Sequence, residues 1–241
     1  MIDFSFIIPA YNEEKLLPQT LTVLNSILCD ISKHYHGEII VVDNNSTDKT
    51  SEIASSAGAI VIFKEENCIA AARNAGANVA NGKYFIFVDA DTQPDIEVVK
   101  KSLDLMSSGM VCGGGAKVQF DMEKLPFFAR LIVFWWESIT FFIPLAAGSY
   151  LFCLADAWRD TGGFNEKLYA SEEVNFSYKL KKWGRKNKNK FVLLSNRVLT
   201  SSRKVQWHSS AYMFFFIMLN CICPFLVRSK FFCNMWYKRP N

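Results

Sequence analysis

Two carboxylates two residues apart, Asp89 and Asp91, follow the apolar run Lys83–Val88. Just past a strand, such a pair can reach one hard cation or its waters, and hard divalent ions bridge carboxylates to phosphate oxygens. Asp43 ends a second apolar run, Glu38–Val42. A further acidic pair, Glu172-Glu173, follows Ser171, which also reads as a helix start, with Ser171 as cap and the acids against the macrodipole. Gly162-Gly163 reads as a tight turn, and His34 and His36 fall in a loop with no role assigned. The segment after the first strand, Pro9-Ala10-Tyr11-Asn12, is not GxGxxG, which disfavours a nicotinamide enzyme. It also lacks the Gly-rich basic loop of a sugar-phosphate nucleotidyltransferase. The seven Cys are odd in number and show no CxxC or finger spacing.

The elements that must hold these residues alternate. Phe4–Pro9 reads as a buried strand, and Leu17, Leu21, Leu24, Leu28 and Ile31 follow helical spacing, with Pro18 in the first turn. Glu38–Val42 is a second strand, and the polar turn after it offers Ser46 or Thr47 as a cap for a helix over 51–57. Ala59–Phe63 is a third strand, Ile69–Ala80 a helix, Lys83–Val88 a fourth strand, and Pro94 opens a helix to about Met106. This α/β order predicts a parallel sheet with helices on both faces. Ligands then bind beyond the carboxyl ends of the strands, where Asn12, Glu13, Asp43, Asp89 and Asp91 all lie.

The second half is less regular. Met110–Phe120 reads as a strand with a kink or close backbone approach at Gly113-Gly114-Gly115. Leu131–Ala155 is apolar but broken by Glu137, Pro144 and Gly148, and Trp158–Trp183 is mixed.

At 241 residues and half apolar, the chain suits one domain with a short tail, and its composition excludes disorder and a disulfide miniprotein. Residues 1–173 carry 13 basic and 23 acidic side chains, whereas 174–241 carry 14 basic and none acidic. A basic tail suggests an anionic partner. Anionic lipid is favoured over nucleic acid, because Ala211–Val227 is an apolar run, short for a span and broken by Pro224. Phe231, Phe232, Trp236 and Tyr237 among Arg228, Lys230, Lys238 and Arg239 suit a headgroup layer. Phe127, Phe128, Phe134, Trp135, Trp136, Phe141 and Phe142 read as either core or a lipid-facing surface, and the basic run Lys179–Lys190 as a solvated or interfacial face. No secretory signal is visible at the N-terminus, so the expectation is a cytoplasmic protein with unpaired thiols, peripheral on a membrane's inner face.

Six segments together resemble family 2 glycosyltransferases with the GT-A fold, across about residues 4–184. They are Phe6-Ile-Ile-Pro-Ala-Tyr-Asn-Glu-Glu14, Ile40-Val-Val-Asp-Asn-Asn-Ser-Thr-Asp-Lys-Thr50, Ala72-Arg-Asn-Ala-Gly76, Ala80-Asn-Gly-Lys-Tyr-Phe-Ile-Phe-Val-Asp-Ala-Asp91, Gly162-Gly-Phe-Asn-Glu166 and Ser171-Glu-Glu173. The resemblance implies a GT-A domain with a nucleotide-sugar half over 1–110, an acceptor half over 111–205 and an apolar/basic segment over 206–241. It implies that Ala10, Tyr11 and Glu13 edge the nucleotide pocket and that Asp43 accepts from a uracil-type base. Arg73 would lie near the nucleotide or its diphosphate. Asp89 would contact the ribose or a metal-bound water, and Asp91 would hold Mn²⁺ or Mg²⁺ on the diphosphate, with His208 a candidate third ligand. The acidic pair would supply the base for an acceptor hydroxyl. Glu173 stands where the family usually has Asp, and Glu172 is the alternative. The backbone at Gly162-Gly163 would line the acceptor cleft.

The implied activity is an inverting, metal-dependent transfer from a nucleoside-diphosphate sugar, UDP-linked, to a hydroxyl of a glycan, lipid or other acceptor. A competing expectation is an inactive binding module that kept the fold, favoured by Glu in place of Asp at 173.

Overall fold

The computed structural model describes residues 1–122, 124–203, 207 and 209–237. One sheet runs through the chain. Its strands are β1 (Phe4–Ala10), β2 (Gly37–Asp43), β3 (Ile60–Phe63), β4 (Tyr84–Val88), β5 (Thr92–Gln93), β6 (Val111–Phe120), β7 (Tyr150–Leu154) and β8 (Lys190–Thr200). They lie in the order β3-β2-β1-β4-β7-β6-β8-β5. Strands β1 to β4 are mutually parallel, β7 enters antiparallel between β4 and β6, and β8 runs parallel to β6. Only β5 and β7 oppose the common direction.

Alternation along the strands sends neighbouring side chains to opposite faces. Phe4, Phe6, Ile8, Ile86 and Val88 face one core layer, closed by α1 (Leu17–Ile31), α2 (Thr50–Ser56) and α4 (Ile96–Ser107). Ile7, Phe85 and Phe87 face the other, closed by α3 (Ile69–Val79), α6 (Ala155–Thr161) and α7 (Glu172–Lys186). The glycine triplet is a close backbone approach, as its sequence suggests. A Cβ at Gly114 would stand 2.1 Å from the Val192 carbonyl oxygen, and one at Gly113 would stand 2.6 Å from that of Phe152. Register shifts against β8 flank the triplet.

Several local expectations are corrected. Neither Ser46 nor Thr47 caps α2. Lys49 holds that position, the Asp48 carboxylate accepts from the Thr50 amide at 3.0 Å, and Ser46 Oγ instead accepts from the Asn12 amide. Helix α4 starts at Ile96, because the Asp95 side chain caps it by accepting from Glu97 N–H at 2.9 Å. Ser171 makes no capping bond; it sits at φ 60°, a left-handed turn that feeds the chain into α7. The apolar stretch of the second half divides into helix α5 (Phe127–Phe142) and strand β7, and β8 follows the basic run. The tail run also divides, into α8 (Ser210–Ile222) and a 3-10 turn (Pro224–Arg228), with a short α9 (Asn234–Tyr237) beyond. Among the described residues no helix is long and apolar enough to cross a membrane. Cys29, Cys68, Cys112, Cys153, Cys223 and Cys233 are free thiols.

Candidate active site

The carboxyl ends of β1, β2 and β4 form one rim, and the loops leaving it are laced together. Asn12, at φ 51°, accepts from the Thr47 amide at 2.8 Å, and the Glu13 amide donates to Thr50 Oγ1 at 2.8 Å. Asn44 N–H donates to the Ala10 carbonyl at 2.7 Å. Asp43, buried at the end of β2, accepts from the Ser46 amide at 2.9 Å. These bonds hold two distant loops as one shelf and leave few of its buried polar groups to be satisfied by water.

Arg73, on α3, is the hub beneath β4. Its guanidinium donates to Glu172 Oε1 at 2.6 Å, to Asp89 Oδ1 at 2.9 Å and to the Gly148 carbonyl at 3.0 Å, and it lies over the Phe164 ring at 5.3 Å. Burial opposes its charge, but Asp89 and Glu172 more than offset that and hold its pKa above the ordinary arginine value. The neighbouring Asn74 donates to the Phe164 carbonyl at 2.9 Å and accepts from the Phe164 amide at 2.9 Å. Gly163, at φ 59°, makes this possible, since a Cβ there would stand 2.5 Å from Asn74 Oδ1. The Gly-Gly segment therefore buttresses the hub and lines neither site cavity, contrary to the expectation of an acceptor-cleft wall.

Glu172 and Glu173 open α7 side by side with different fates. Glu172 is buried and committed to Arg73. Glu173 is half-buried and lines the larger cavity; burial first, and the Glu172 charge second, push its carboxyl up to about 8 against the opposing pull of Arg73. A carboxyl so poised is suited to accepting a proton near neutral pH.

A second arginine, passed over in the sequence, organises the other end. Arg203 forks both nitrogens onto Glu13 and pairs with Asp91 Oδ2 at 2.9 Å. Nothing in the sequence marks it, because it stands in a stretch where every charge is basic. Trp236 and Tyr237 were also misread. They turn inward rather than toward a headgroup layer, because the Tyr169 amide donates to the Val227 carbonyl at 2.7 Å and the Tyr237 ring packs on Tyr169 at 5.8 Å.

Two adjoining cavities result. The smaller, about 60 Å³, is lined by Ala10, Tyr11, Glu13, Asn44, Asp89, Asp91, Arg203, Trp236 and Tyr237. Among the described residues Arg203 Nε and Tyr237 Oη are buried without a hydrogen-bond partner, which suits a polar ligand there. The larger, about 300 Å³, holds Arg73, Asp89, Asp91, Glu172 and Glu173 at one end and apolar side chains of α5 and α8 at the other. Asp43 lines neither cavity, and His208 lies outside the described residues.

Asp89 and Asp91 line both cavities, so the two carboxylates converge where these meet. Among the described residues no group of three or more His, Cys, Asp or Glu forms a complete metal cage. One or two carboxylates suffice for Mg²⁺ when substrate phosphates complete its shell. The residues fit a cation of that kind, and Arg203 on Asp91 marks the spot as one arranged around positive charge.

The family model for glycosyl transferase family 2 matches residues 5–151. The glycosyltransferase AglE of Haloferax volcanii is 33% identical over 186 residues, covering 72% of this chain and 59% of AglE. The chain thus spans under two thirds of that relative's length. The crystal structure of S. aureus TarS 1-349 in complex with UDP-GlcNAc superposes with a TM-score of 0.63 at 21% identity, covering 84% of this chain and 59% of that one. The mannosyltransferase PcManGT from Pyrobaculum calidifontis, in complex with GDP-Man and Mn²⁺, gives 0.62 at 16% identity, covering 81% and 56%. Such structural likenesses carry the GT-A fold alone, whereas the family match spans more than half the chain, through Gly148, which contacts Arg73, and into the first residues of β7. The chain belongs to glycosyl transferase family 2.

Proposed function

We propose that the chain transfers a sugar from a uridine-diphosphate sugar to an acceptor hydroxyl, with inversion at the anomeric carbon. The observation that carries this reading is Glu173: a raised carboxyl at the wall of a cavity shared with Asp89 and Asp91. The smaller cavity, with Ala10, Tyr11 and Glu13 at its edge, would take the nucleotide. Asp43 would accept from the base N3–H after a small shift of its loop, because a carboxylate only accepts and an imide donates. Asp91 and Asp89 would hold Mn²⁺ or Mg²⁺, which supplies charge neutralisation to the departing diphosphate.

The chain's own residues do the rest. Arg73 keeps Asp89 and Glu172 in place from below the rim. With Glu172 committed to Arg73, Glu173 is the carboxylate open to the acceptor. It takes the hydroxyl proton as the acceptor oxygen bonds to the anomeric carbon, while the bond from that carbon to the phosphate oxygen breaks and its electron pair leaves with the diphosphate. One displacement with one base inverts the centre. TarS 1-349 was crystallised with UDP-GlcNAc, which supports a uridine donor, and PcManGT with GDP-Man and Mn²⁺, which supports a nucleotide sugar with a divalent cation.

The second half of the sheet, residues 111–205, would place the acceptor, and the apolar/basic segment from 206 would touch the cytoplasmic face of a membrane. In support, α5 and α8 pack on each other through Phe128 against Phe214 and Phe215, yet expose Phe134, Phe141, Phe142 and Leu219. Exposed apolar patches of that size mark an interaction site. Lys124, Arg130, Arg228 and Lys230 are exposed in the same half of the chain, and basic residues near an anionic surface each add about 1 kcal/mol.

A screen of nucleotide sugars for Mn²⁺-dependent hydrolysis tests the enzymatic reading. UDP-sugar turnover is expected, and turnover of no nucleotide sugar would favour the inactive binding module. Co-sedimentation with anionic vesicles, weakened by salt, is expected for the membrane contact; no pelleting with any lipid would sink it.

A further inference from the structure

The larger cavity is a cleft whose two ends differ in chemistry. At one end stand Asp89, Asp91 and Glu173. The rest of the lining is mostly apolar: Ile132, Val133 and Trp136 on α5, Met213 and Ile217 on α8, and a β6 wall of Ala116, Val118 and Phe120 interrupted by Lys117. The helical spacings, i, i+1, i+4 on one helix and i, i+4 on the other, put each set on a single helix face. Of the polar groups on that stretch of α5, Glu137 is held by Arg197 at 2.9 Å, and the Thr140 hydroxyl donates to the Trp136 carbonyl at 2.9 Å. Both are already satisfied within the protein.

From this we infer that the acceptor is an amphiphile: a hydroxyl-bearing head at Glu173 and an alkyl or prenyl chain lying between α5 and α8. The inference rests on the transferase reading above and names the substrate class for the same site. A glycan in this cleft would strip water from hydroxyls that the helix walls cannot replace, and each such loss is costly. An apolar chain gains by the same burial. The head is a neutral hydroxyl rather than a phosphate, because a hydroxyl needs a base to take its proton and Glu173 offers one. The outer faces of the same two helices expose Phe134 and Phe141 on α5 and Phe215 and Leu219 on α8. The same two helices thus carry apolar side chains both in the cleft and on the exposed surface, as an acyl or prenyl chain entering from a bilayer would need.

The full-length chain, saturated with UDP and Mn²⁺, is titrated with n-dodecyl β-D-glucoside below its micelle concentration and with methyl β-D-glucoside. Saturable binding of the dodecyl probe is expected, with none of the methyl probe in the same range. Across a chain-length series, each added pair of methylenes should tighten binding by roughly tenfold until the cleft is full. Ile217→Trp, which fills the cleft, should weaken the dodecyl probe at least tenfold and leave UDP affinity unchanged, which also reports folding. Val133→Trp asks the same from the opposite wall if Ile217→Trp does not fold. Phe141→Ser, on the outer face, should leave probe binding unchanged. Equal binding of both probes, or full dodecyl affinity in the filled cleft, overturns the inference. Loss of UDP binding in the unsubstituted chain would instead overturn the transferase reading and leave the alkyl result standing.

Discussion

Two arginines hold Asp89 and Asp91 on the rim, and they do so in opposite ways. Arg73 belongs to a helix packed on β1 and β2, is buried, and joins Asp89 to Glu172, which stands 99 positions beyond the arginine in sequence. Arg203 belongs to the chain just past the last strand, keeps some exposure, and joins Asp91 to Glu13, which stands 190 positions before the arginine. The first is part of the core and fixes where the floor of the site stands. The second reaches in from the edge and neutralises the charges that a metal and a diphosphate would meet. Asp89 is thus set from within the fold, and Asp91 from outside it.

The largest effect expected from this contrast is catalytic. Glu173→Gln keeps the shape of the base but loses its proton acceptor, so turnover should fall by roughly 10²–10⁴-fold with donor affinity kept. Glu172→Gln should instead lower stability, because it weakens the grip of Arg73. Turnover lost in Glu172→Gln and kept in Glu173→Gln would exchange their roles. Glu173 is raised, so it is protonated at mildly acidic pH and free at alkaline pH. Turnover should therefore rise with pH through the neutral range. The same shift costs stability as pH rises, since the folded state prefers the protonated form. A pH–rate profile alongside urea melts at each pH should show the two trends opposed, and the Gln variant should lose both.

Next in size is the arginine pair itself. Arg73→Met leaves Glu172 buried without its partner beside Asp89, which should cost about 3–5 kcal/mol in urea unfolding. Arg203→Met removes charged hydrogen bonds from a less enclosed site and should cost about 1.5–3 kcal/mol. Equal losses would mean that both are structural and would dissolve the contrast. Smaller again is Gly163→Ala, where a left-handed residue gains a Cβ facing Asn74; a loss of about 1–2 kcal/mol is expected from the backbone alone. A variant as stable as the parent would show that the Asn74 buttress is not tight.

The sequence is readable where the physics is local. Strands β1 to β4 are short apolar runs ending in turn residues, and their helices follow a regular period, so Asp43, Asp89 and Asp91 fall on one rim by topology. Strand β8 was not legible. Its partner β6 shifts register twice, and Ser195, Asn196 and Arg197 interrupt its apolar face, so neither alternation nor a continuous run survives. Arg203 was not legible either, because its partners Glu13 and Asp91 are distant and its neighbours share its charge. Trp236 and Tyr237 looked like headgroup anchors until the Tyr169–Val227 bond turned their segment inward. Local pattern found the half that holds β1 to β4; long-range pairing, which leaves no pattern, built the half that packs beside it.

On the transferase reading a nucleotide diphosphate and a divalent cation would meet at the rim of Asp89 and Asp91. Calorimetric titration of UDP in the presence and absence of Mn²⁺, on the parent chain and on Asp91→Ala, tests it most directly. Mn²⁺-dependent UDP binding is expected in the parent, and its loss in Asp91→Ala with the fold intact. UDP affinity that is unchanged by the substitution, or indifferent to Mn²⁺ in both proteins, would contradict it.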